Sequence, residues 1–231
     1  MRLDKALADL NLGSRKEVKL LIRKGRVSVN GNIIKDDDFH IDIDHDLILF
    51  DNEPLTFNQV QYFMLNKPMG SICENRSKNY PNVLEYIHEA LNPKTQTVGR
   101  LDVDTEGLLL IMSDGVLAHH LLAPKSHCPK IYELSLEKPF EKRFLSELES
   151  GIMLSDGICK AANVTLIDET HMLLEISEGR THQVKRMMHA CDNEVITLKR
   201  LQFGPLTIGD LKVGEYRSLS LEEIDALKCL K

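Results

Sequence analysis

Asp102 lies in the densest run of potentially reactive side chains, Val98-Gly99-Arg100-Leu101-Asp102-Val103-Asp104-Thr105-Glu106-Gly107. A carboxylate can serve as a nucleophile or a base. Arg100, two residues earlier, would face the same side if the stretch were extended. The apolar run Leu108-Leu109-Leu110-Ile111-Met112 follows, so the turn abuts buried sheet, where an ordered loop on a rigid scaffold positions catalytic groups. Calcium binding is a competing reading. Asp102, Asp104, Glu106 and Gly107 match the early positions of a calcium loop, but Ser113 stands where a bidentate carboxylate is required. A solvated acidic turn with Arg100 paired locally is the plainer alternative.

A second constellation is Glu178-Gly179-Arg180-Thr181-His182-Gln183-Val184-Lys185-Arg186-Met187-Met188-His189. On a helical wheel Val184, Met187, Met188 and Cys191 share an apolar face, opposite His182, Lys185, Arg186 and His189. A basic face at a helix start can hold phosphate or pair with a carboxylate; otherwise it is a solvated face. Tyr132, in Pro129-Lys130-Ile131-Tyr132-Glu133-Leu134, opens a strand and presents either a phenol to a pocket or an amphipathic ring to the sheet surface. Neither His182 with His189, nor His119, His120, His127 and Cys128, has the spacing of a closed zinc site.

The elements that must carry these groups can be read from periodicity. Leu3 to Leu10 is predicted as a short helix. Ser14 and Glu17 form a capping box for a helix running to about Lys24. Its Val18, Leu21 and Ile22 share one face, and Arg15, Lys16, Lys19 and Arg23 another. Val27 and Val29 alternate with polar residues before the hairpin turn Asn30-Gly31. Asp51 to Gln61 reads as a linker, with Leu55, Phe57 and Val60 free to pack on either side. Beyond it strands are predicted at 62–65, 131–136, 162–167, 172–176 and 195–203. Helices are predicted at 82–90, from Asp114 to before Pro124, at 140–149, at 180–190, and after the capping box Ser220/Glu223. Strands joined by short turns outnumber helices, which predicts an α+β fold with a mixed, mostly antiparallel sheet and packed helices.

The formal net charge of −6 argues against a nucleic-acid partner if taken as an average. The charge is not spread evenly, however. Residues 1–35 hold nine Lys/Arg against three Asp/Glu, and residues 36–53 hold eight Asp/Glu and no Lys/Arg. Fields act within a Debye length of roughly 10 Å, so a local basic patch keeps its meaning. Aromatic residues are 5% with no Trp, which excludes extensive base-stacking platforms. No apolar run approaches the ~20 residues that a membrane span needs, and no signal peptide is evident. Five scattered cysteines without a CxxC pair fit reduced thiols in the cytoplasm.

Several of these segments, in this order, resemble the ribosomal small-subunit pseudouridine synthases of the RsuA type. Gly99 to Leu109 is similar to that family's catalytic signature. Lys67-Pro68-Met69-Gly70, Lys130-Ile131-Tyr132-Glu133, Gly179 to Met187 and Arg200-Leu201-Gln202-Phe203-Gly204-Pro205-Leu206 resemble its other motifs. Arg2-Leu3-Asp4-Lys5 through Arg26-Val27-Ser28-Val29-Asn30-Gly31 resembles an S4 RNA-binding domain. The resemblance covers essentially the whole chain. It implies an S4-like domain over 1–58, a catalytic domain over 59–231, and neither metal nor organic cofactor.

The same resemblance implies that Asp102 is the catalytic aspartate. Tyr132 would stack beneath the target base and help remove its C5 proton. Arg100 would assist base flipping, and Lys185, with Arg186 adjacent, would take the place of the basic partner of the aspartate. That partner is commonly arginine, and lysine lacks its two-pronged geometry. RNA contacts are expected at Arg2, Lys5, Arg15, Lys16, Lys19, Arg23, Arg180 and Arg186.

The chemistry implied is site-specific isomerisation of a uridine in 16S rRNA, free or in a small-subunit assembly intermediate, by a cytoplasmic monomer. The base must be everted, because its ring atoms are out of reach in a stacked helix. An ionised carboxylate, steadied by a cation, then attacks C1′ or removes a sugar proton. The alternatives are a 23S rRNA synthase and a catalytically inactive rRNA-binding assembly factor, which the S4-like segment would serve equally well.

Overall fold

Asn30-Gly31 turns the chain as its composition requires. Asn30 has φ 49° and Gly31 φ 83°, the left-handed pair of a two-residue hairpin, and β1 (Val27–Val29) pairs antiparallel with β2 (Asn32–Ile34). The computed structural model describes residues 1–10, 12–43, 45–55, 60–74, 79–89 and 91–230, and its chain divides into two units, 1–59 and 60–231. The expected boundary at residue 58, and Phe57 of the expected linker, lie outside the described residues.

In the first unit α1 (Leu3–Asp9) and α2 (Arg15–Arg23) cover a sheet of order β2-β1-β3-β4, completed by β3 (Ile48–Phe50) and β4 (Glu53–Pro54). The capping box forms: Glu17 N–H donates to Ser14 Oγ at 3.4 Å, and Ser14 N–H donates to Glu17 Oε2 at 2.7 Å. Leu3, Leu7, Val18, Ile22, Val27 and Ile48 make the core.

The second unit is built on β5 (Tyr62–Lys67), β6 (Gln96–Thr97), β7 (Glu106–Met112), β8 (Lys130–Leu136), β9 (Met153–Leu154), β10 (Gly157–Ile158), β11 (Asn163–Leu166), β12 (His171–Ile176), β13 (Val195–Phe203), β14 (Leu206–Thr207) and β15 (Tyr216–Ser218). Except for the β9–β10 hairpin they form one nine-stranded sheet with the path β11-β12-β8-β13-β7-β5-β15. Among the described strands of this sheet β13 against β7 is the parallel pairing, and the other strand pairings are antiparallel.

The apolar run in β7 is explained by burial on both faces, as in any strand sandwiched between layers. Leu109 and Ile111 join the core under α4 (Leu145–Ser150) and α5 (Gln183–Ala190). Leu108, Leu110 and Met112 join the core under α3 (Gly115–Leu122) and α6 (Leu221–Lys228). The α+β class and the mostly antiparallel mixed sheet are therefore as expected. No helix among the described residues is long and apolar enough to cross a membrane.

Three expected helices differ. In place of 82–90 there is one 3-10 turn, Val83–Tyr86. Its Asn82/Glu85 capping box forms, but Ile87 turns extended and is buried in the core; Ala90 lies outside the described residues. The 140–149 helix is split into a 3-10 turn, Lys142–Phe144, and α4. The 180–190 helix starts only at Gln183, because His182 is left-handed with φ 50°.

Candidate active site

The Asp102 turn is held by its backbone. Lys67, at the end of β5, is fully buried, and its Nζ donates to Asp102 O at 3.0 Å, Thr105 O at 2.8 Å and Pro68 O at 3.2 Å. Gly70 N–H donates to Val103 O at 2.7 Å, and Thr105 N–H donates to Asp102 O at 3.1 Å. Leu101 is buried in the core and its N–H donates to Cys73 Sγ at 3.5 Å. The Lys67-Pro68-Met69-Gly70 segment is thus the clamp of the Asp102 turn. Burial pushes the Lys67 ammonium below its ordinary pKa, with Cys73 and the nearby carboxylates opposing that shift.

With the turn fixed, the Asp102 carboxylate stands 28% exposed, facing the start of α5. Lys185 Nζ lies 3.7 Å from Asp102 Oδ2 and 2.5 Å from Asp104 Oδ1. The lysine therefore bridges two carboxylates, and its hydrogen bond holds Asp104 below the usual carboxylate range. His182 Nδ1 is also 3.7 Å from Asp102 Oδ2. The expected Lys185–Asp102 neighbourhood is present, with Asp104 as its closer anion.

Tyr132 reaches the same place from β8. Strand alternation puts Lys130, Tyr132 and Leu134 on one face, and the register sets Tyr132 opposite Arg200 of β13. Gly107 of β7 lies on the far side of Arg200. The Tyr132 phenol oxygen is 3.5 Å from Arg200 Nη1. Together Asp102, Tyr132, Lys185, Arg100, Lys130 and Arg200 line one cleft of about 420 Å³, a volume typical of ligand sites.

The other expected residues are placed less directly. Arg100 lines the mouth but pairs with Glu74 at the surface. Arg180 donates to Gly157 O at 2.9 Å and Ile158 O at 2.5 Å. Arg186 pairs with Asp156 at 2.5 Å and pushes that carboxyl down to about 2. Both arginines therefore tie the β9–β10 hairpin to the start of α5.

In the first unit the basic face is largely spoken for. Buried Asp4 takes Arg2 at 3.0 Å, Arg15 at 3.2 Å and Lys19 at 3.6 Å. Asp37 takes Lys19 at 3.2 Å and Arg23 at 3.0 Å, and Arg2 also pairs with Asp38. The acidic run that follows residue 35 thus folds back on the basic one. Lys5 and Lys16 have no ion pair among the described residues.

Arg200, Lys130 and Lys67 carried no role in the sequence reading, although each lies in a quoted motif. The available signal was alternation: Arg200 shares the inward face with Leu198, and Lys130 with Tyr132 and Leu134, so each puts a cation where a core residue is expected.

The family model described as RNA pseudouridylate synthase matches residues 61–190. The chain belongs to the RNA pseudouridylate synthase family. An S4 domain model matches residues 1–48 of this pseudouridine synthase. It is 40% identical to the ribosomal small subunit pseudouridine synthase A of Haemophilus influenzae, over 98% of this chain and 99% of the relative. It is 39% identical to the uncharacterized RNA pseudouridine synthase YtzG of Bacillus subtilis, over 98% of each chain. A solved pseudouridylate synthase structure is similar with a TM-score of 0.70 and 39% identity, covering 98% of this chain and 99% of that one.

Proposed function

We propose that this pseudouridine synthase acts in the cytoplasm on one uridine of the small-subunit RNA, free or in an assembly intermediate, with Asp102 as its central catalytic group. The observation that carries the reading is the convergence of a carboxylate, a phenol and an ammonium group, from Asp102, Tyr132 and Lys185, on one cleft. The similarity to a relative named for the small subunit supports the choice of RNA.

The everted uridine sits over the Tyr132 ring, with its sugar toward Asp102. The carboxylate attacks C1′ or takes a sugar proton. By either route the C1′–N1 bond breaks, its electron pair stays on the detached ring, and proximity keeps the ring in the cleft. The ring turns, and C5 bonds to C1′ as the Asp102–C1′ ester bond breaks or, on the other route, as Asp102 returns the sugar proton; the C5 proton leaves by way of Tyr132, and N1 gains a proton. Lys185, 3.7 Å from Asp102 Oδ2, orients the Asp102 carboxylate. Arg100, 69% exposed at the mouth, exchanges Glu74 for RNA as the base is everted.

Phosphate contacts fall first to Lys5 and Lys16, then to Arg15 and Arg23, which are 57% and 61% exposed even while paired. Arg2 and Lys19, about one-third exposed and each shared between carboxylates, add to these contacts. Arg180, which lines the cleft, and Arg186 leave part of their side chains exposed for RNA.

The deciding experiment maps pseudouridine across ribosomal RNA from cells lacking the gene, then restores wild type or Asp102→Asn. A small-subunit mark that is lost, and is restored only by wild type, is the expected result. A missing mark in large-subunit RNA would refute the choice of RNA. A folded Asp102→Asn protein that restores the mark at the wild-type rate would refute the role of Asp102.

A further inference from the structure

Arg200 lines the cleft, yet its charge is not used by the groups proposed so far. It is 2% exposed. Its Nε donates to Leu108 O at 2.7 Å and its Nη1 approaches the Tyr132 phenol at 3.5 Å. Its Nη2 is buried with no hydrogen-bond partner. Lys130 shares the floor, donating to Cys128 O at 2.9 Å, and both cations lie 5.2 Å from the Phe203 ring centroid. Neither has a carboxylate ion pair among the described residues.

A buried donor without an acceptor is costly and rare, and Arg200 lines the cleft, so a group entering the cleft is the partner expected to arrive. A chain phosphate is a poor candidate for that depth, because its two ester links must both leave the cleft. An everted base is attached at one point only and can enter fully. The Tyr132 ring beside Arg200 already offers a flat face for it.

We infer that Arg200 is a base-recognition residue, whose Nη2 donates to a carbonyl oxygen of the everted uracil. This rests on the reading that the cleft takes the target uridine. A guanidinium only donates, so it accepts a carbonyl and rejects a ring that presents an amino group at that position. When the C1′–N1 bond breaks, its electron pair is delocalised from N1 onto the two carbonyl oxygens. The hydrogen bond therefore strengthens as charge develops, with Lys130 adding a second fixed cation.

The test is single-turnover pseudouridine formation on an RNA fragment around the mapped uridine, with uridine, 2-thiouridine or 4-thiouridine at the target. Wild type, Arg200→Met and Arg200→Lys are compared, with RNA affinity and circular-dichroism melting measured alongside. Sulfur accepts hydrogen bonds weakly, so one of the two thio substrates slows wild type about tenfold or more. Arg200→Met slows on uridine by about 100-fold at near-wild-type affinity, and loses nothing further on that thio substrate. Arg200→Lys recovers part of the rate. Wild type that is active on uridine but indifferent to both thio substitutions overturns the inference alone, even if Arg200→Met fails to fold. Wild type that makes no pseudouridine overturns the functional reading and this inference with it.

Discussion

Replacing Lys67 by Met keeps the volume of a fully buried side chain and removes its charge. Three bonds are lost, to Asp102 O, Thr105 O and Pro68 O. Two of these acceptors keep another donor: Ser71 Oγ at 2.7 Å for Pro68 O, and Thr105 N–H for Asp102 O. The damage therefore concentrates on the Thr105 carbonyl and on the curvature of the turn. Bonds to a charged donor contribute about 1.5–3 kcal/mol each. Taking the low end for three, and setting the relieved desolvation of a buried ammonium against it, leaves about 3 kcal/mol of destabilisation.

For a unit of this size, that corresponds to roughly 6–12 °C in Tm, read by circular dichroism. The Asp102 backbone is also released, and a displacement near 1 Å costs on the order of 100-fold in rate. The single-turnover rate of Lys67→Met should fall by that order even well below its melting temperature. If the variant melts within 2 °C of wild type by the ~2–4 °C per kcal/mol rule and keeps the wild-type rate, the clamp has no such role.

Gly107→Ala should be severely destabilising, because at φ +110° the added Cβ would lie 2.3 Å from Arg200 O; about 3–5 kcal/mol is expected in urea unfolding, and a loss under ~1 kcal/mol would contradict the tight β7–β13 approach. Asp4→Asn should weaken the first unit by about 2 kcal/mol at neutral pH, read by hydrogen exchange of amides in residues 1–55. Hydrogen bonding from Arg2, then Arg15, holds the Asp4 carboxyl well below the usual carboxylate range. Its contribution is therefore present above the unfolded value near ~3.9 and is lost as pH falls through the lower folded value. Wild type and Asp4→Asn should converge in strong acid, and a constant gap down to pH ~2 would contradict the ion-pair account. Asp104→Asn leaves Lys185 to Asp102 alone and should change the single-turnover rate by less than ~10-fold, since the pair is partly solvent-screened; a 100-fold loss in a folded variant would make Asp104 part of the chemistry.

The local devices were legible in the sequence because their causes are local. The Ser14/Glu17 and Ser220/Glu223 capping boxes and the Asn30-Gly31 turn need only neighbours in the chain, and each forms. That 108–112 belongs to buried sheet followed from an unbroken apolar run, and the structure shows it buried on both faces. Asp102, Tyr132 and Lys185 could be singled out by motif order, although nothing in their spacing shows that a turn, a strand and a helix start meet. Where tertiary packing overrides local preference, the reading failed: Ile87 leaves the helical path for the core, and His182 delays α5 by adopting the left-handed conformation.

Charge needed the third dimension most. A helical wheel gave the basic face of α2, but only folding brought Asp4, Asp37 and Asp38 against it. Likewise the chain alone shows Lys67 and Arg200 only as members of two motifs. Only the sheet register, which sets Arg200 between Gly107 and Tyr132, and the turn that wraps the Lys67 ammonium decide what those charges face. Hydrogen bonds and ion pairs depend on distances of a few ångströms between residues far apart in the chain, and the order of residues fixes such distances only through the completed fold.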